Sequence, residues 1–238
     1  MGTPEMINND NRSEQAESHL FKPVFGAAIG NMIEWFDYAS YGYLATIIAL
    51  VFFAPGDRTA ALLGTFAVFA VSFIVRPIGG IFWGHYGDKI GRRRTLIYTI
   101  TIMSLATFTI GLLPGYAKIG VWAPLALMLI RMVQGFAASG EYAGSASFIS
   151  EYAPKGKRGL LVSMVPASTA AGLMFAALLT SILDYYLSPG AMQSWGWRIP
   201  FLIALPLGFG GLMIRLRLED TPVFKELEEK DPEDENRG

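Results

Sequence analysis

The chain has 238 residues, of which 52% are hydrophobic and only 16% charged, and its formal net charge at pH 7 is -1. This composition is too apolar for an ordinary soluble domain and indicates a polytopic membrane protein. No basic domain is present that would attract nucleic acid. The absence of cysteine excludes disulfides and thiolate metal sites within the chain.

Six apolar stretches are long enough to cross a bilayer as helices, which takes about 20 residues each. Helices are expected because an unpaired backbone group in hydrocarbon is too costly for an open structure. The predicted spans are residues 24–53, 60–83, 96–113, 121–150, 160–187 and 197–216. The sequence therefore predicts an all-α membrane protein with a polar segment at 1–23, a six-helix unit at 24–217 and a charged tail at 218–238.

The positions of lysine and arginine predict the orientation of the chain. Most of the 19 basic residues lie before residue 23, between residues 84 and 95, between 155 and 158, or after residue 214. Only Arg58, Lys118 and Arg198 lie in the alternate loops. Since cytoplasmic loops carry the excess of positive charge, we expect a multi-pass protein of the plasma membrane with both termini cytoplasmic.

Charged side chains occur within the predicted spans. Glu34 and Asp37 lie in the first span, and Arg131 and Glu141 lie in the fourth. Each would cost on the order of 2.5 to 3.5 kcal/mol at mid-bilayer if it faced lipid. We therefore expect these four groups to face a cavity or one another.

Helical spacing extends these charges into two polar stripes. Residues three and four apart lie on the same face of a helix. The stripe on the first span contains Asn31, Glu34, Tyr38 and Tyr41, and the stripe on the fourth contains Arg131, Gln134 and Glu141. Both stripes are predicted to point inward and to form the pathway for proton and solute.

The buried charges do not balance in this count. The carboxyl groups of Glu34, Asp37 and Glu141 face only Arg76 and Arg131 within the spans. A carboxyl group without a partner at low dielectric takes up a proton, which is the chemistry of a proton-coupled carrier. Arg131 is expected to pair with Asp37 or Glu34, which leaves Glu141 the freer group. A static ion-pair network is the alternative.

The first span is also aromatic, with Trp35, Phe36, Tyr38, Tyr41 and Tyr43. Aromatic faces beside carboxylates can hold a quaternary ammonium group by cation-π attraction. Packing against neighbouring helices is the alternative for each ring.

Several motifs then resemble a known family. The spacing of Gly84, Asp88, Lys89, Gly91, Arg92 and Arg93 resembles the signature loop between helices two and three of the major facilitator superfamily. Residues 30–38, 76–80, 131–142 and 195–201 together resemble the metabolite:proton symporter family. Residues 201–208 and 219–222 are most similar to its proline/glycine-betaine members.

The resemblance implies a fold and a gate. The fold is one half-bundle of the superfamily, a 3+3 inverted repeat of helices. No cofactor is expected, and the proton is the coupling ion. In the gate, Asp88 contacts the partner half, and Arg92 and Arg93 bind nearby acidic groups. Glu151 and Arg158 belong to the matching loop after helix four, where Glu151 is the expected partner of the basic cluster.

The carriers of the superfamily have twelve helices with the solute between two halves, whereas six are predicted here. We therefore expect the chain to require a C-terminal six-helix half as its partner. The first hypothesis is the N-terminal half of a proton-coupled symporter for proline or glycine betaine, and a carboxylate symporter of the citrate or 2-oxoglutarate type is the alternative. A non-transporting membrane fragment or assembly partner is the hypothesis of another class. Enzyme activity is not expected, since the sequence contains no Walker loop, HExxH or Gly-x-Ser-x-Gly motif.

Overall fold

The computed structural model describes residues 4–154 and 156–218, with side chains described from Val24 onward. The described backbone is almost entirely helical. In chain order the helices are α1 (Pro4–Tyr43), α2 (Ala45–Phe52), α3 (Arg58–Ile90), α4 (Arg92–Leu112), α5 (Tyr116–Ile119), α6 (Trp122–Tyr152), α7 (Arg158–Val162), α8 (Met164–Tyr186), α9 (Pro189–Ala191) and α10 (Arg198–Leu216), with a π-helical turn at Met192–Gly196. Lys155 and the predicted tail beyond Leu218 lie outside the described residues.

The six predicted spans correspond to six helical crossings. Five are long and apolar enough by themselves, namely α3, α4, α6, α10 and the run Arg158–Tyr186 formed by α7 and α8. The first predicted span is instead a bent pair, because α1 and α2 meet at an angle of 69°. Beyond the bend, Ile48 and Phe52 are fully buried in a cluster with Trp197 at the start of α10.

The packing of the six crossings has the symmetry of two three-helix repeats. Helix α1 packs along α8, and α6 packs along α3 in the same way. Helix α4 packs against α6 as α1 packs against α10, and α4 and α10 also pack together. If the first three crossings are exchanged for the last three, the α1–α8 contact becomes the α6–α3 contact, and the α4–α6 contact becomes the α10–α1 contact. This packing is what the predicted 3+3 repeat of a six-helix half-bundle requires.

Two glycines permit the close approach of the long helix pairs. A Cβ atom at Gly135 of α6 would overlap the carbonyl oxygen of Ser72 in α3, and one at Gly172 of α8 would overlap that of Met32 in α1. Small residues at such crossings let backbones come together where lipid offers no hydrophobic drive. The two positions serve equivalent contacts in the two repeats.

The predicted basic loop at residues 84–95 is mostly helical, which corrects the prediction. Helix α3 continues to Ile90 and α4 begins at Arg92, so only Gly91 interrupts the helix. Its φ of +94° lies in the region that favours glycine. The charged residues on either side are compatible with a helix, so the chain turns only at Gly91, where φ is positive.

Candidate functional site

Three ion pairs lie inside the half-bundle and connect its helices. Asp37 of α1 pairs with Arg131 of α6, and Glu34 of α1 pairs with Arg76 of α3. Glu141 of α6 pairs with Arg215 near the end of α10. All three carboxylates are at most 2% exposed. The carboxyl groups predicted to face inward are thus all buried and all paired.

The Asp37–Arg131 pair is central and fully buried. Arg131 Nη1 donates to Asp37 Oδ2 at 2.7 Å, and Gln134 Nε2 lies 3.1 Å from the same oxygen. The Arg131 guanidinium carbon also lies 4.0 Å from the ring centroid of Tyr41. Among the described residues, no hydrogen-bond partner reaches Asp37 Oδ1, Arg131 Nε and Nη2, or Gln134 Oε1. Asp37 and Arg131 are therefore held in place, but some of their polar atoms lack a hydrogen-bond partner among the described residues.

The Glu34–Arg76 pair crosses from α1 to α3 and is partly open. Arg76 Nη2 donates to Glu34 Oε1, and the Arg76 side chain is 23% exposed. The guanidinium carbon lies 4.9 Å from the ring centroids of both Tyr38 and Phe73. Glu34 Oε2, Trp35 Nε1 and Arg76 Nε have no hydrogen-bond partner in the described chain. The sequence places Arg76 within a predicted span but does not identify Glu34 as its partner.

The third pair corrects the expectation that Glu141 is the freer carboxyl group. Arg215 donates to both carboxylate oxygens of Glu141 and is itself only 1% exposed. The Thr99 hydroxyl lies 2.9 Å from Glu141 Oε2, and the Ser145 hydroxyl lies 3.3 Å from Oε1. Glu141 is therefore fully partnered within the protein.

Arg215 of α10 also donates to backbone carbonyls of two further helices, α1 and α4. Its Nε donates to the carbonyl oxygen of Gly26 at 2.9 Å, its Nη2 to that of Ala27, and its Nη1 to that of Leu96. A Cβ atom at Gly30 would overlap both the guanidinium and the Glu141 carboxylate. The pair thus fills a space that only a glycine leaves open, and it holds α1, α4, α6 and α10 together.

The buried charges balance once Arg215 is included. Sequence reasoning counted Arg215 with the cytoplasmic tail, although the predicted span already extended to residue 216. An arginine ahead of the end of an apolar run was the signal that could have identified it. With three arginines and three carboxyl groups, the unmatched negative charge inferred from the sequence does not exist.

The three pairs differ in how completely their atoms are partnered. A buried polar atom without a hydrogen bond costs about 1 to 3 kcal/mol, so such atoms mark places where water or a polar solute binds. Six of the eleven such side-chain atoms among the described residues belong to Glu34, Asp37, Arg76, Arg131 and Gln134, whereas neither Glu141 nor Arg215 has one. The first two pairs form the candidate site, and the third is structural.

Two other members of the predicted stripe on α1 serve helix contacts. Asn31 Nδ2 lies 2.9 Å from the carbonyl oxygen of Val165 and from the hydroxyls of Ser168 and Thr169, which ties α1 to α8. Tyr41 donates to the carbonyl oxygen of Thr65 at 3.0 Å. Asn31 therefore points toward α8 and not toward either ion pair.

The predicted gate residues surround the corner at Gly91. Arg92 Nη2 lies 2.8 Å from Asp88 Oδ1, and Arg92 Nε lies 3.7 Å from Glu151 Oε1. Arg93 donates to the carbonyl oxygens of Arg215 and Leu216 at the end of α10. The corner is thus connected to α6 by charge and to α10 by backbone hydrogen bonds.

The remaining gate residues, Gly84, Lys89 and Arg158, are exposed, and Arg158 begins α7. A cleft of about 670 Å³ lies near the other end of the bundle, between the end of α2, α5 and the start of α10. Its lining includes Lys118, Trp197 and Arg198 but none of the residues of the three ion pairs. The candidate site is therefore a set of buried groups on the helices and not this cleft.

The sequence is similar to transport proteins. The sequence profile of a family described as "Sugar (and other) transporter" matches residues 24–237. A glycine betaine/proline/ectoine/pipecolic acid transporter of Dickeya dadantii is 42% identical over 93% of this chain and 44% of its own length. A proline/betaine transporter of Escherichia coli K12 is 41% identical with the same coverage. A putative proline/betaine transporter of Staphylococcus aureus is 43% identical over 97% of this chain and 50% of its own.

The fold is similar to solved structures of the same superfamily. The proton:xylose symporter XylE bound to 6-bromo-6-deoxy-D-glucose superposes with a TM-score of 0.81 at 19% identity, covering 91% of this chain and 48% of that one. The inward-open xylose transporter from E. coli superposes with a TM-score of 0.77, covering 90% and 51%. The chain spans about half the length of the curated relatives it matches.

Proposed function

The chain belongs to the sugar (and other) transporter family of the major facilitator superfamily, and from this premise we propose that it forms the N-terminal half of a proton-coupled symporter for proline or glycine betaine. The names of its relatives support the solute. The proposal depends on two buried ion pairs of α1, Asp37–Arg131 and Glu34–Arg76, in which some polar atoms lack a hydrogen-bond partner among the described residues. Carriers of this class bind solute and coupling ion near mid-membrane.

The proton is assigned to the Asp37–Arg131 pair. A proton on Asp37 removes the negative charge that Arg131 faces, and Arg131 then carries an unpaired charge in a low-dielectric site. An Arg131 charge without its counter-ion raises the positive electrostatic potential of the site, which favours binding of a solute that carries a carboxylate. The Tyr41 ring holds the Arg131 guanidinium in place while Asp37 is protonated. Proton and solute then bind together more favourably than either alone.

Glu141 is assigned a structural role in this proposal. Its oxygens are partnered by Arg215, Thr99 and Ser145, and breaking a buried pair by charge removal costs about 3 to 5 kcal/mol. The proton pathway therefore runs through α1 and not through Glu141.

A second six-helix unit is proposed to cover one face of this half-bundle. The candidate face lies on α3, where Ile74, Ile78 and Ile81 are more than half exposed and where a Cβ atom at Gly80 or Gly84 meets open space. Asp88, also on α3, is exposed near the cytoplasmic corner. Open glycines and an exposed carboxylate suit the close approach of a partner helix.

Co-expression tests the proposal. The chain is produced in a strain without osmolyte uptake, together with the C-terminal part of the E. coli proline/betaine transporter that this chain does not match. Radiolabelled glycine betaine and proline should accumulate only when both parts are present, and a protonophore should abolish the accumulation. Each part alone is the control.

The alternatives predict other outcomes of the same assay. Accumulation of citrate or 2-oxoglutarate, with no competition by glycine betaine, would identify a carboxylate symporter. Normal membrane insertion without uptake in any pairing would identify a non-transporting fragment or assembly partner.

A further inference from the structure

The Glu34–Arg76 pair has features that the Asp37–Arg131 pair lacks. It is the more open of the two, since the Arg76 side chain is 23% exposed while Arg131 is fully buried. It also joins α1 to α3, the helix that carries the exposed face proposed for the second half, whereas the other pair joins α1 to α6.

The groups around the pair match both ends of a zwitterion. Among the residues described, Glu34 Oε2 is an acceptor without a donor, and Arg76 Nε is a donor without an acceptor. The guanidinium lies against the rings of Tyr38 and Phe73, whose centroids are 5.2 Å apart. Ring faces that hold a guanidinium also hold an ammonium group.

We infer that a zwitterionic solute inserts between Glu34 and Arg76, with its carboxylate on Arg76 and its ammonium group between Glu34 and the rings of Tyr38 and Phe73. This inference rests on the proposed function, and it assigns solute selectivity to a different ion pair from the one that carries the proton. Arg76 and Phe73 become solute-binding residues beside Glu34 and Tyr38.

Charge balance gives the selectivity. When a zwitterion separates Glu34 from Arg76, each side chain exchanges one opposite charge for another, and no buried charge is left unpaired. A ligand with only a carboxylate would leave Glu34 without a counter-charge, and one with only an ammonium group would leave Arg76 without one. Unpaired buried charge is strongly unfavourable, so the pair discriminates against singly charged ligands.

The test measures binding of radiolabelled glycine betaine to the purified chain, with two analogues as competitors. The first is 3,3-dimethylbutyrate, which has the shape of glycine betaine but only its negative charge. The second is tetramethylammonium, which has only the positive charge. The variants are Glu34→Gln and Arg76→Gln, with Arg217→Gln at an exposed position as the control.

A crossed pattern is expected. Both variants should bind glycine betaine about tenfold more weakly or worse, because each loses one charged partner. Glu34→Gln should bind 3,3-dimethylbutyrate about tenfold more tightly than the parent chain, and Arg76→Gln should do the same for tetramethylammonium, because the remaining charge is then free. Such gains cannot come from misfolding. Arg217→Gln should bind all three ligands like the parent chain.

Other outcomes overturn the inference. Equal losses for all three ligands, or gains for the opposite analogue, would show that the pair does not hold a zwitterion in this way. Lack of glycine betaine binding by the unaltered chain would also reject it, whatever the uptake assay shows. Crossed binding without uptake in any pairing would reject the proposed function alone.

Discussion

The side chain of Arg215, in the last turn of α10, donates to both carboxylate oxygens of Glu141 in α6, and both residues are at most 1% exposed. Replacing Arg215 by methionine should destabilise the chain by about 3 to 5 kcal/mol, because Glu141 would remain buried without its counter-charge. Thermal unfolding in detergent measures the loss. Arg217→Gln, at an exposed position two residues away, is the control and should unfold like the parent.

A double variant separates charge from packing at the same place. Glu141→Gln combined with Arg215→Met leaves no unpaired charge, so it should recover most of the stability lost in Arg215→Met alone. If Arg215→Met unfolded at the parental temperature, the structural assignment of this pair would be wrong.

Gly135→Ala should also destabilise the bundle, because its methyl group would overlap the Ser72 backbone of α3, which cannot move without shifting the helix. A loss of about 1 to 3 kcal/mol is expected. The matched control is Gly210→Ala in α10, where the added methyl meets open space and helix propensity improves by up to about 1 kcal/mol. Thermal unfolding should therefore move in opposite directions for the two variants.

Asp37→Asn tests the assignment of the proton. The amide cannot take up a proton, so uptake against a gradient should fall to the level seen with a protonophore, while exchange of solute across the membrane should persist. Counterflow and active uptake in the reconstituted pair of halves distinguish these activities. Protonophore-sensitive accumulation by the variant would rule out Asp37 as the coupling group.

Arg92→Gln tests the gate. The Asp88–Arg92 pair is partly exposed, and such pairs contribute only about 0 to 1 kcal/mol to stability. The variant should therefore unfold like the parent but transport several-fold more slowly, since Arg92 also faces Glu151 at 3.7 Å. Parental uptake would indicate that the charge serves only membrane orientation.

The absence of cysteine from the sequence makes orientation directly measurable. An impermeant maleimide should label Lys118→Cys in intact cells and Arg158→Cys only after permeabilisation, if both termini are cytoplasmic. Both positions are exposed, so access is not limited by packing. The reverse pattern would invert the predicted topology.

Several features followed from local properties of the sequence. Hydropathy located all six crossings, because the requirement to satisfy backbone groups in lipid acts on each segment separately. The same reasoning required Glu34, Asp37, Arg131 and Glu141 to point inward, and the structure buries all four. The motif at 84–93 identified the superfamily before any contact was known.

Partner choice was decided only by the tertiary structure. The three ion pairs join residues 42, 74 and 94 positions apart in the chain, and helical periodicity gives the face of a residue without its height beside another helix. From the sequence, Arg131 therefore had two possible partners, Asp37 and Glu34, and Glu141 had no predicted partner. Packing placed Arg215 within the bundle, where Gly30 leaves room for it, and this turned the expected proton carrier into a structural ion pair.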